Sequence, residues 1–307
     1  MKQSETKINI TSIIREFSLT TGIPEAFIEK DIYVLKVLST LANINYPDVK
    51  IAFSGGTCLS KAYNKIKRFS EDIDFCIQTS IPFSRKDKSN FRKFIITTLN
   101  HCNDLHVIEN PITITDENSF FSFEIEYNKN FSSSSTLRKN IKAEFKFENL
   151  HLCCQTCNIK SMLNPYIHDE IVNINCVNIV EIMANKFSAL LWRAYIKDRT
   201  KPLYSKENDP TIMRHLYDIS NLKDNILTSE FKLLVNDIFI KDKNRASIKD
   251  GNLTEFSNVI YKKLISDKLF KEEYSQFVDT MCYSKEQINF EDAIKDFKEI
   301  LDYVSKI

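Results

Sequence analysis

The sequence predicts an α+β fold, with strands in the first half of the chain and helices in the second. Segments that alternate apolar and polar residues recur between residues 49 and 148, as expected for strands. From about Val177 onward, the apolar residues recur at helical spacing instead. We therefore expect two domains, residues 1–175 with the sheet and the N-terminal helices, and residues 176–307, which are helical.

The composition is typical of a globular protein with a large core. Hydrophobic residues make up 43% and charged residues 27% of the 307 positions. The formal net charge of +1 gives no overall basicity that would indicate nucleic acid, although a local basic patch remains open. We find no apolar run of about 18 residues and no secretory leader pattern, so we expect a cytoplasmic protein without a membrane partner.

Two helices are expected before the first strand, over residues 6–18 and 24–42. An alternating strand from Val49 to Phe53 follows, and Gly55-Gly56-Thr57 then turns the chain. Thr57 is expected to cap a helix that continues to Ile66. Backbone N–H groups at such a helix start form a natural site for phosphate.

The next expected strand carries two carboxylates, Asp72 and Asp74, separated by Ile73. Residues i and i+2 of a strand lie on one face, so both carboxylates point the same way. Like charges this close repel unless a cation lies between them. Oxygen ligands beside a phosphate site favour Mg²⁺, or Mn²⁺ in its place. A phosphate-binding turn before such a pair indicates phosphoryl or nucleotidyl transfer.

The run FSGGTCLSKAYNKIKRFSEDIDF, residues 53–75, resembles the signature of the AbiEii/AbiGii toxin family of nucleotidyltransferases, which is related to the MenT toxins. Three short matches flank it in order, namely Glu29-Lys30-Asp31, Glu181 to Lys186, and Arg214 to Asp218. In the last of these, His215 stands where the family commonly has Asp, so only Arg214 and Asp218 carry over. The matches span residues 29–218, about two-thirds of the chain.

This resemblance implies a nucleotidyltransferase-type mixed-sheet domain followed by an α-helical domain. It implies the catalytic residues Asp72, Asp74, Lys186 and Asp218. It also implies that the nucleotide is bound by Gly55, Gly56, Thr57, Lys61, Ser70 and Lys186. Lys186 lies on an apolar helix face, where an unpaired charge would be costly, and this favours a phosphate partner. Asp218 would orient or deprotonate a reacting group. Residues 29–31 would lie near the active site, or else form a solvated helix face.

A third metal ligand is expected from a neighbouring strand, as in other nucleotidyltransferases of this fold. Extended segments are expected over Leu105–Thr115, Phe120–Tyr127 and Ile141–Glu148. The candidate carboxylates on them are Glu144, Glu148, Glu124 and Glu126. Glu144 is preferred because it is in mid-strand on the polar face, but a cross-strand ladder of Lys and Glu explains the same alternation.

A second cluster could hold metal of another kind. Cys154 and Cys157 have the spacing of half a zinc site, and His151, His168 and Cys176 could complete it; Cys153 is adjacent. No second C-x-x-C follows, so zinc is disfavoured. The remaining cysteines are scattered among apolar residues, as reduced core cysteines are.

We therefore predict a Mg²⁺-dependent nucleotidyltransferase toxin of a toxin–antitoxin or phage-defence (abortive infection) system. It would transfer NMP from an NTP to RNA, a tRNA 3′ end being one candidate, and release pyrophosphate. Its partner would be an antitoxin encoded nearby. The alternatives are transfer to a small molecule such as an antibiotic, and a non-catalytic nucleotide-binding regulator. Basic clusters at residues 85–93 and 193–201 favour RNA, and the intact Asp72–Asp74 pair argues against the regulator.

Overall fold

The computed structural model describes residues 9–70, 72–132, 137–167, 171–245, 251–284 and 286–306. The chain divides into two compact units. Unit 1 consists of Met1–Tyr63, Phe69–Leu150 and Cys154–Val177, and unit 2 consists of Asn64–Arg68, His151–Cys153 and Asn178–Ile307. Two short segments from the first half of the chain therefore belong to unit 2. That residues 1–175 and 176–307 act as two separate domains stays a prediction.

The described residues of unit 1 form a seven-stranded sheet with the order β3-β4-β5-β2-β1-β7-β6. The strands are β1 (Val49–Ser54), β2 (Asp72–Thr79), β3 (Leu105–Thr115), β4 (Phe120–Tyr127), β5 (Ile141–Phe147), β6 (Gln155–Ile159) and β7 (Val172–Cys176). β1 pairs in parallel with β7, and β2 pairs in parallel with β5. The other neighbouring strands are antiparallel, so the sheet is mixed.

Stacked phenylalanines cover one face of the sheet centre. The ring of Phe145 in β5 lies 5.3 Å from that of Phe75 in β2 and 4.8 Å from that of Phe121 in β4, measured between centroids. The three extended segments predicted from alternation are confirmed, except that β5 ends at Phe147. β6 and β7 were not predicted; each has only five residues.

The helices of unit 1 are α1 (Ile10–Thr21), α2 (Glu25–Ala42), α3 (Gly55–Lys61), α4 (Arg85–Asn100) and α5 (Asn164–Ile167). The first predicted helix extends to Thr21, beyond the expected end at residue 18, and its predicted residues 6–8 lie outside the described part. α4 begins with a capping box, in which the side chains of Ser84 and Asp87 each accept the other's backbone N–H.

Unit 2 is helical in its described part. Its helices are α6 (Ile179–Ile196), α7 (Met213–Asn221), α8 (Lys223–Ile226), α9 (Ser229–Arg245), α10 (Leu253–Ser266), α11 (Lys268–Met281) and α12 (Phe290–Ser305). α6 is central and packs against α7, α9 and α10. Its buried Phe187 contacts Phe231 and Phe297. None of the described helices is long and apolar enough to cross a membrane.

The segment Asn64–Arg68 joins this helical unit through backbone bonds. Arg68 forms an isolated antiparallel bridge with Cys282, and the N–H of Tyr283 donates to the carbonyl of Lys67 at 3.1 Å. Arg68 is almost fully buried there, although it lies only four positions before Asp72 in the sequence.

Candidate active site

The turn between β1 and α3 requires glycine at position 55 for two reasons. Gly55 has a φ of 74°, in the left-handed region that side chains disfavour. A Cβ atom at this position would lie 1.8 Å from Oδ2 of Asp74. The backbone of the turn therefore approaches the Asp74 carboxylate as closely as only a glycine permits.

Thr57 was predicted to be the N-cap of this helix, and that prediction is wrong. α3 begins at Gly55, its N-cap is Ser54, and it ends at Lys61 rather than at Ile66. Thr57 is buried inside the first turn, and its hydroxyl donates to the backbone carbonyl of Asp72. The side chain thus fixes the start of β2 relative to α3 and so positions the aspartate strand.

Asp72 and Asp74 lie on the same face of β2, while Ile73 between them is fully buried on the other. Oδ1 of Asp72 is inaccessible to solvent and accepts no hydrogen bond from any residue that the structure describes. The guanidinium of Arg138 lies 3.5 Å from this oxygen, too far for a good hydrogen bond. A desolvated carboxylate oxygen without a donor is unfavourable, and a ligand would relieve it.

These carboxylates fit a divalent cation in chemical type, since Mg²⁺ and Mn²⁺ prefer oxygen ligands. The candidate third ligand, Glu144, is next to Asp74 in the register of β2 and β5. Its carboxylate, however, is paired with Lys142. Within the described ranges no three His, Cys, Asp or Glu side chains are arranged as a metal site. Asp72 and Asp74 thus fit a divalent cation by their oxygen chemistry alone. The contribution of Glu144 stays a prediction.

Two of the other candidate carboxylates have partners of their own. Glu124 accepts a hydrogen bond from Asn140 at 2.7 Å, and Glu148 pairs with Lys146. The pairs Lys142–Glu144 and Lys146–Glu148 each join residues two positions apart in the chain, so they are not the cross-strand ladder considered as the alternative. The alternation of Lys and Glu after Ile141 thus produces ion pairs between residues two positions apart in the chain.

Glu29, Lys30 and Asp31 of α2 do not form a solvated helix face. Glu29 is buried and accepts the backbone N–H groups of residues 130 and 131. Lys30 is buried as well and donates to the backbone carbonyl of Arg138 at 2.9 Å. Because the Arg138 side chain faces Asp72, Lys30 helps to position the Arg138 guanidinium beside the aspartate pair.

Asp31 holds Lys61, one of the predicted nucleotide-binding residues, in an ion pair. Its carboxylate pairs with Lys61 at the end of α3 and accepts the backbone N–H of Met162 at 2.8 Å. Both side chains of the pair are about nine-tenths buried. Lys61 is therefore engaged within unit 1, and a contact with nucleotide stays a prediction. The same holds for Ser70, which lies half-buried two residues before β2.

A second group of charged residues lies in unit 2, around the fully buried Asp218 of α7. Nε and Nη2 of Arg68 donate to its two oxygens at 2.6 and 2.7 Å, and Nζ of Lys186 in α6 lies 2.7 Å from Oδ2. Lys186 thus has a carboxylate partner within the chain. Its charge is matched by Asp218, so its position no longer requires a phosphate.

The pKa values in this group reflect burial and pairing together. Burial alone would raise the pKa of Asp218, but Arg68 and Lys186 outweigh burial and hold it below its ordinary value. The pKa of Lys186 is lowered by burial, with Arg68 and Arg214 adding to the effect and Asp218 opposing it. An aspartate with a lowered pKa and both oxygens bonded is a weak base. The geometry favours orientation of Lys186 over proton abstraction.

Arg68 is the functional candidate that the sequence analysis missed. It lies within the signature run, but no pattern around it distinguishes it from the neighbouring lysines at positions 65 and 67. Its partner is 150 positions away in the chain. Its position just before the aspartate strand was the sole available signal.

The candidate zinc cluster does not form in the described part of the chain. Nδ1 of His151 lies 3.1 Å from the carboxylate of Glu181, which also accepts the backbone N–H groups of His151 and Leu152. His168 lies outside the described residues. Cys157 and Cys176 are on the paired strands β6 and β7, and Cys58 also contacts Cys176, but in the described part of the chain no group of cysteines is arranged to hold a metal.

Comparison with known proteins agrees with this architecture. The structure is similar to the nucleotidyltransferase toxin MenT4 from Mycobacterium tuberculosis, with a TM-score of 0.64 and 12% sequence identity, over 97% of this chain and 90% of that chain. At this identity the likeness shows the fold, and it confirms the predicted α+β class with a nucleotidyltransferase-type mixed sheet and a helical part. No curated protein matches the sequence.

The family model described as "Nucleotidyl transferase AbiEii toxin, Type IV TA system" matches residues 37–302. The match extends over most of the chain, from α2 to α12, and includes the glycine turn, the aspartate strand and the buried ion group. The resemblance to the AbiEii toxin family noted in the sequence is confirmed. The protein is an enzyme of the nucleotidyltransferase class. The chain belongs to the AbiEii family of nucleotidyl transferase toxins of type IV toxin–antitoxin systems.

Proposed function

We propose that this protein uses Mg²⁺ to transfer a nucleoside monophosphate from an NTP to RNA, with release of pyrophosphate, and that this modification makes it a toxin. The observation that carries the proposal is that Oδ1 of Asp72, on the strand face it shares with Asp74, is buried and accepts no hydrogen bond from the described residues. Binding of a cation would offset the free-energy cost of burying a carboxylate oxygen without a hydrogen bond. The close approach of Gly55 to Asp74 supports a site built for a small, highly charged ligand.

Asp72 and Asp74 would hold the metal, with Glu144 as the proposed third ligand. When bound, Mg²⁺ would neutralise charge on the transferred phosphate and on the departing pyrophosphate, and lower the pKa of the attacking hydroxyl. Thr57 supports this role because its hydroxyl holds the backbone of Asp72 in place. Mn²⁺ would serve in the same way, since it accepts the same oxygen ligands.

The nucleotide phosphates would contact backbone N–H groups of Gly55, Gly56 and Thr57, with Lys61 and Ser70 nearby in sequence. In unit 2, Lys186 would neutralise phosphate charge, for which a compact ammonium is well suited. Asp218 would hold Lys186 in position through its 2.7 Å contact. Each of these roles comes from the family resemblance, and the contacts described above are compatible with them.

Exposed cations on α4 support RNA as the acceptor. Arg85, Lys86 and Lys93 are exposed, whereas Lys88 and Arg92 bond to Ser119 and Asn118 within unit 1. Exposed lysine and arginine on one helix are suited to phosphate contacts along an RNA backbone. The proposed acceptor is RNA, with a tRNA 3′ end as a candidate. The proposed setting is the cytoplasm, with a cognate antitoxin and a role in phage defence by abortive infection.

The test is transfer of label from each of the four NTPs to total RNA by the purified protein with Mg²⁺. We expect Asp72→Asn to lower the transfer rate about a thousandfold or more, because the variant keeps the shape but loses the charge that holds the cation. The matched control is Asp104→Asn, which removes the same charge from a half-exposed pair with Lys36 and should leave the rate unchanged.

Expression in a host without antitoxin gives the second measurement. Wild type should arrest growth, and Asp72→Asn, present at equal level on a blot, should not. A harmless wild type that labels no RNA but labels a small acceptor would contradict the proposal in favour of the antibiotic-type alternative. Full transfer by Asp72→Asn would contradict the assignment of the metal ligand.

A further inference from the structure

Arg138 places a positive charge beside the carboxylate that is proposed to hold the metal. Its Nη1 lies 3.5 Å from Oδ1 of Asp72, the oxygen that is inaccessible to solvent and accepts no hydrogen bond from the described residues. At this distance the contact is an ion pair that is too long for a good hydrogen bond. A metal ion bound to this oxygen would therefore have a charge of its own sign as a neighbour.

The backbone around Arg138 is anchored within unit 1. The carbonyl of Arg138 accepts a hydrogen bond from Nζ of the buried Lys30 at 2.9 Å. The preceding residue, Leu137, is buried in a cluster with residues of α2. Two positions after Arg138, the buried Asn140 donates to Glu124 of β4 at 2.7 Å. These contacts fix the point from which the Arg138 side chain extends.

The side chain itself has more freedom than its backbone. It is 48% exposed, against 19% for the side chain of Asp72. Exposed side chains change rotamer within picoseconds to nanoseconds, so the guanidinium can leave Asp72 while the anchored backbone stays in place. A guanidinium keeps its charge, and its planar fork matches two phosphate oxygens at once. Arg138 is thus placed to exchange a carboxylate for a phosphate beside the proposed metal site.

We propose that Arg138 makes metal binding at Asp72 depend on the nucleotide. In the free protein its charge weakens the binding of a lone divalent cation, since like charges repel at short range. When a nucleoside triphosphate binds together with the cation, the guanidinium moves from Asp72 to the phosphate oxygens. Arg138 is then a further catalytic residue, and Lys30 is a positioning residue for it. This inference rests on the metal site of the proposed function.

Binding of Mn²⁺ alone, followed by electron paramagnetic resonance, gives the first measurement. Arg138→Gln should bind Mn²⁺ about tenfold more tightly than wild type, because the opposing charge is removed. The double variant with Asp72→Asn should lose this gain, which locates the effect at Asp72. If Arg138 had a merely structural role, its replacement would leave the affinity for Mn²⁺ unchanged or weaken it.

Binding of the nucleotide together with the metal gives the second measurement. The probes are the Mn²⁺ complexes of α,β-methylene nucleoside triphosphates with each of the four bases, which bind but cannot transfer their nucleotide. In titration calorimetry, Arg138→Gln should bind the complex that wild type prefers about tenfold more weakly, because the phosphates lose a charged donor. The same substitution should thus shift the two affinities in opposite directions.

Two further variants separate the charge of Arg138 from its shape and position. Arg138→Lys keeps the charge and loses the planar fork, so it should bind Mn²⁺ alone as wild type does and still bind the nucleotide complex more weakly. Lys139→Gln is the matched control, because it removes one positive charge from the next position, which is also exposed. It should change each affinity by no more than about twofold, since solvent screens charges at a distance.

Three results would overturn the proposal. They are an Arg138→Gln variant that does not bind Mn²⁺ more tightly than wild type, one that binds the nucleotide complex as wild type does, and equal shifts in Lys139→Gln. None of them depends on transfer to RNA. Opposite shifts in a protein that labels no RNA would support the role of Arg138 and contradict the proposed acceptor. A wild type that binds neither Mn²⁺ nor any of the complexes would contradict the proposed metal site, and the role of Arg138 with it.

Discussion

The two units each place an aspartate of the family motifs in a different environment. In unit 1, Asp72 has a buried oxygen that accepts no hydrogen bond from the described residues, and the nearest cation is 3.5 Å away. In unit 2, Asp218 is completely buried, yet both of its oxygens are bonded to cations at 2.6 to 2.7 Å. Oδ1 of Asp72 thus has a distant ion pair and no hydrogen bond from the described residues, whereas both oxygens of Asp218 have close charged donors.

This difference distinguishes the proposed metal site at Asp72 from the buried ion pairs of Asp218. A carboxylate without donors gains free energy when a cation arrives, so its replacement should affect binding and catalysis more than folding. A carboxylate that is paired with two buried cations stabilises the folded state, so its replacement should affect folding first. The same type of residue, in motifs of one family, thus serves two physical purposes.

The largest expected effect is on stability, from Asp218→Asn. This change removes the charge that Arg68 and Lys186 share, in buried ion pairs, which should lower the free energy of unfolding by about 3–5 kcal/mol. Asp72→Asn, the same substitution in unit 1, should change it by no more than about 0.5 kcal/mol, because it also relieves repulsion with Asp74. Urea denaturation followed by circular dichroism measures both. Equal losses in the two variants would remove the distinction between the sites.

The next largest effect is expected from Gly55→Ala. The added Cβ would clash with the Asp74 carboxylate 1.8 Å away, and the φ of 74° would be strained. We expect a loss of about 1–3 kcal/mol in the free energy of unfolding. The displaced Asp74 should weaken metal binding as well, which Mn²⁺ titration followed by electron paramagnetic resonance can measure. Gly22→Ala is the matched control, since Gly22 has a φ of 76° but no atom within 4 Å of the added carbon.

A smaller effect is expected on acid stability. Because the folded pKa of Asp218 lies below its ordinary value, its ionised form stabilises the protein above the unfolded pKa, about 3.9. This stabilisation is lost as the pH falls through the lower, folded value, at about 1.4 kcal/mol for each unit of difference. Below about pH 4, wild type should therefore lose stability more steeply with falling pH than Asp218→Asn. Identical slopes would mean that the pairing with Arg68 and Lys186 does not hold in solution.

The smallest effect on stability is expected from Glu144→Gln. Its pair with Lys142 is about one-third exposed, so its loss should change the free energy of unfolding by less than about 0.5 kcal/mol. If Glu144 is the third ligand, the variant should still bind Mg²⁺ about tenfold more weakly. Glu109→Gln, at an exposed position of β3, is the control. A larger loss of affinity in Glu124→Gln or Glu126→Gln would move the third ligand to β4.

Much of unit 1 follows from local sequence. Alternation over Phe120–Tyr127 and Ile141–Phe147 was enough to find β4 and β5, because each strand exposes one face and buries the other. The signature run also located Gly55, Asp72 and Asp74, because a turn and a pair of residues at i and i+2 depend only on neighbouring positions. The roles of Thr57 and Lys61 were harder to predict, because both depend on contacts with other elements.

The sequence alone determined the α+β class, the family, and the strand face that carries Asp72 and Asp74, since these depend on spacing within a few residues. Only the tertiary structure decided that Lys186 has a carboxylate partner, that Arg68 shares it, and that His215 has none among the described residues. The physical reason is separation along the chain, because Arg68 and Asp218 are 150 positions apart. Burial and pairing across such distances depend on packing, and no local spacing of residue types encodes them.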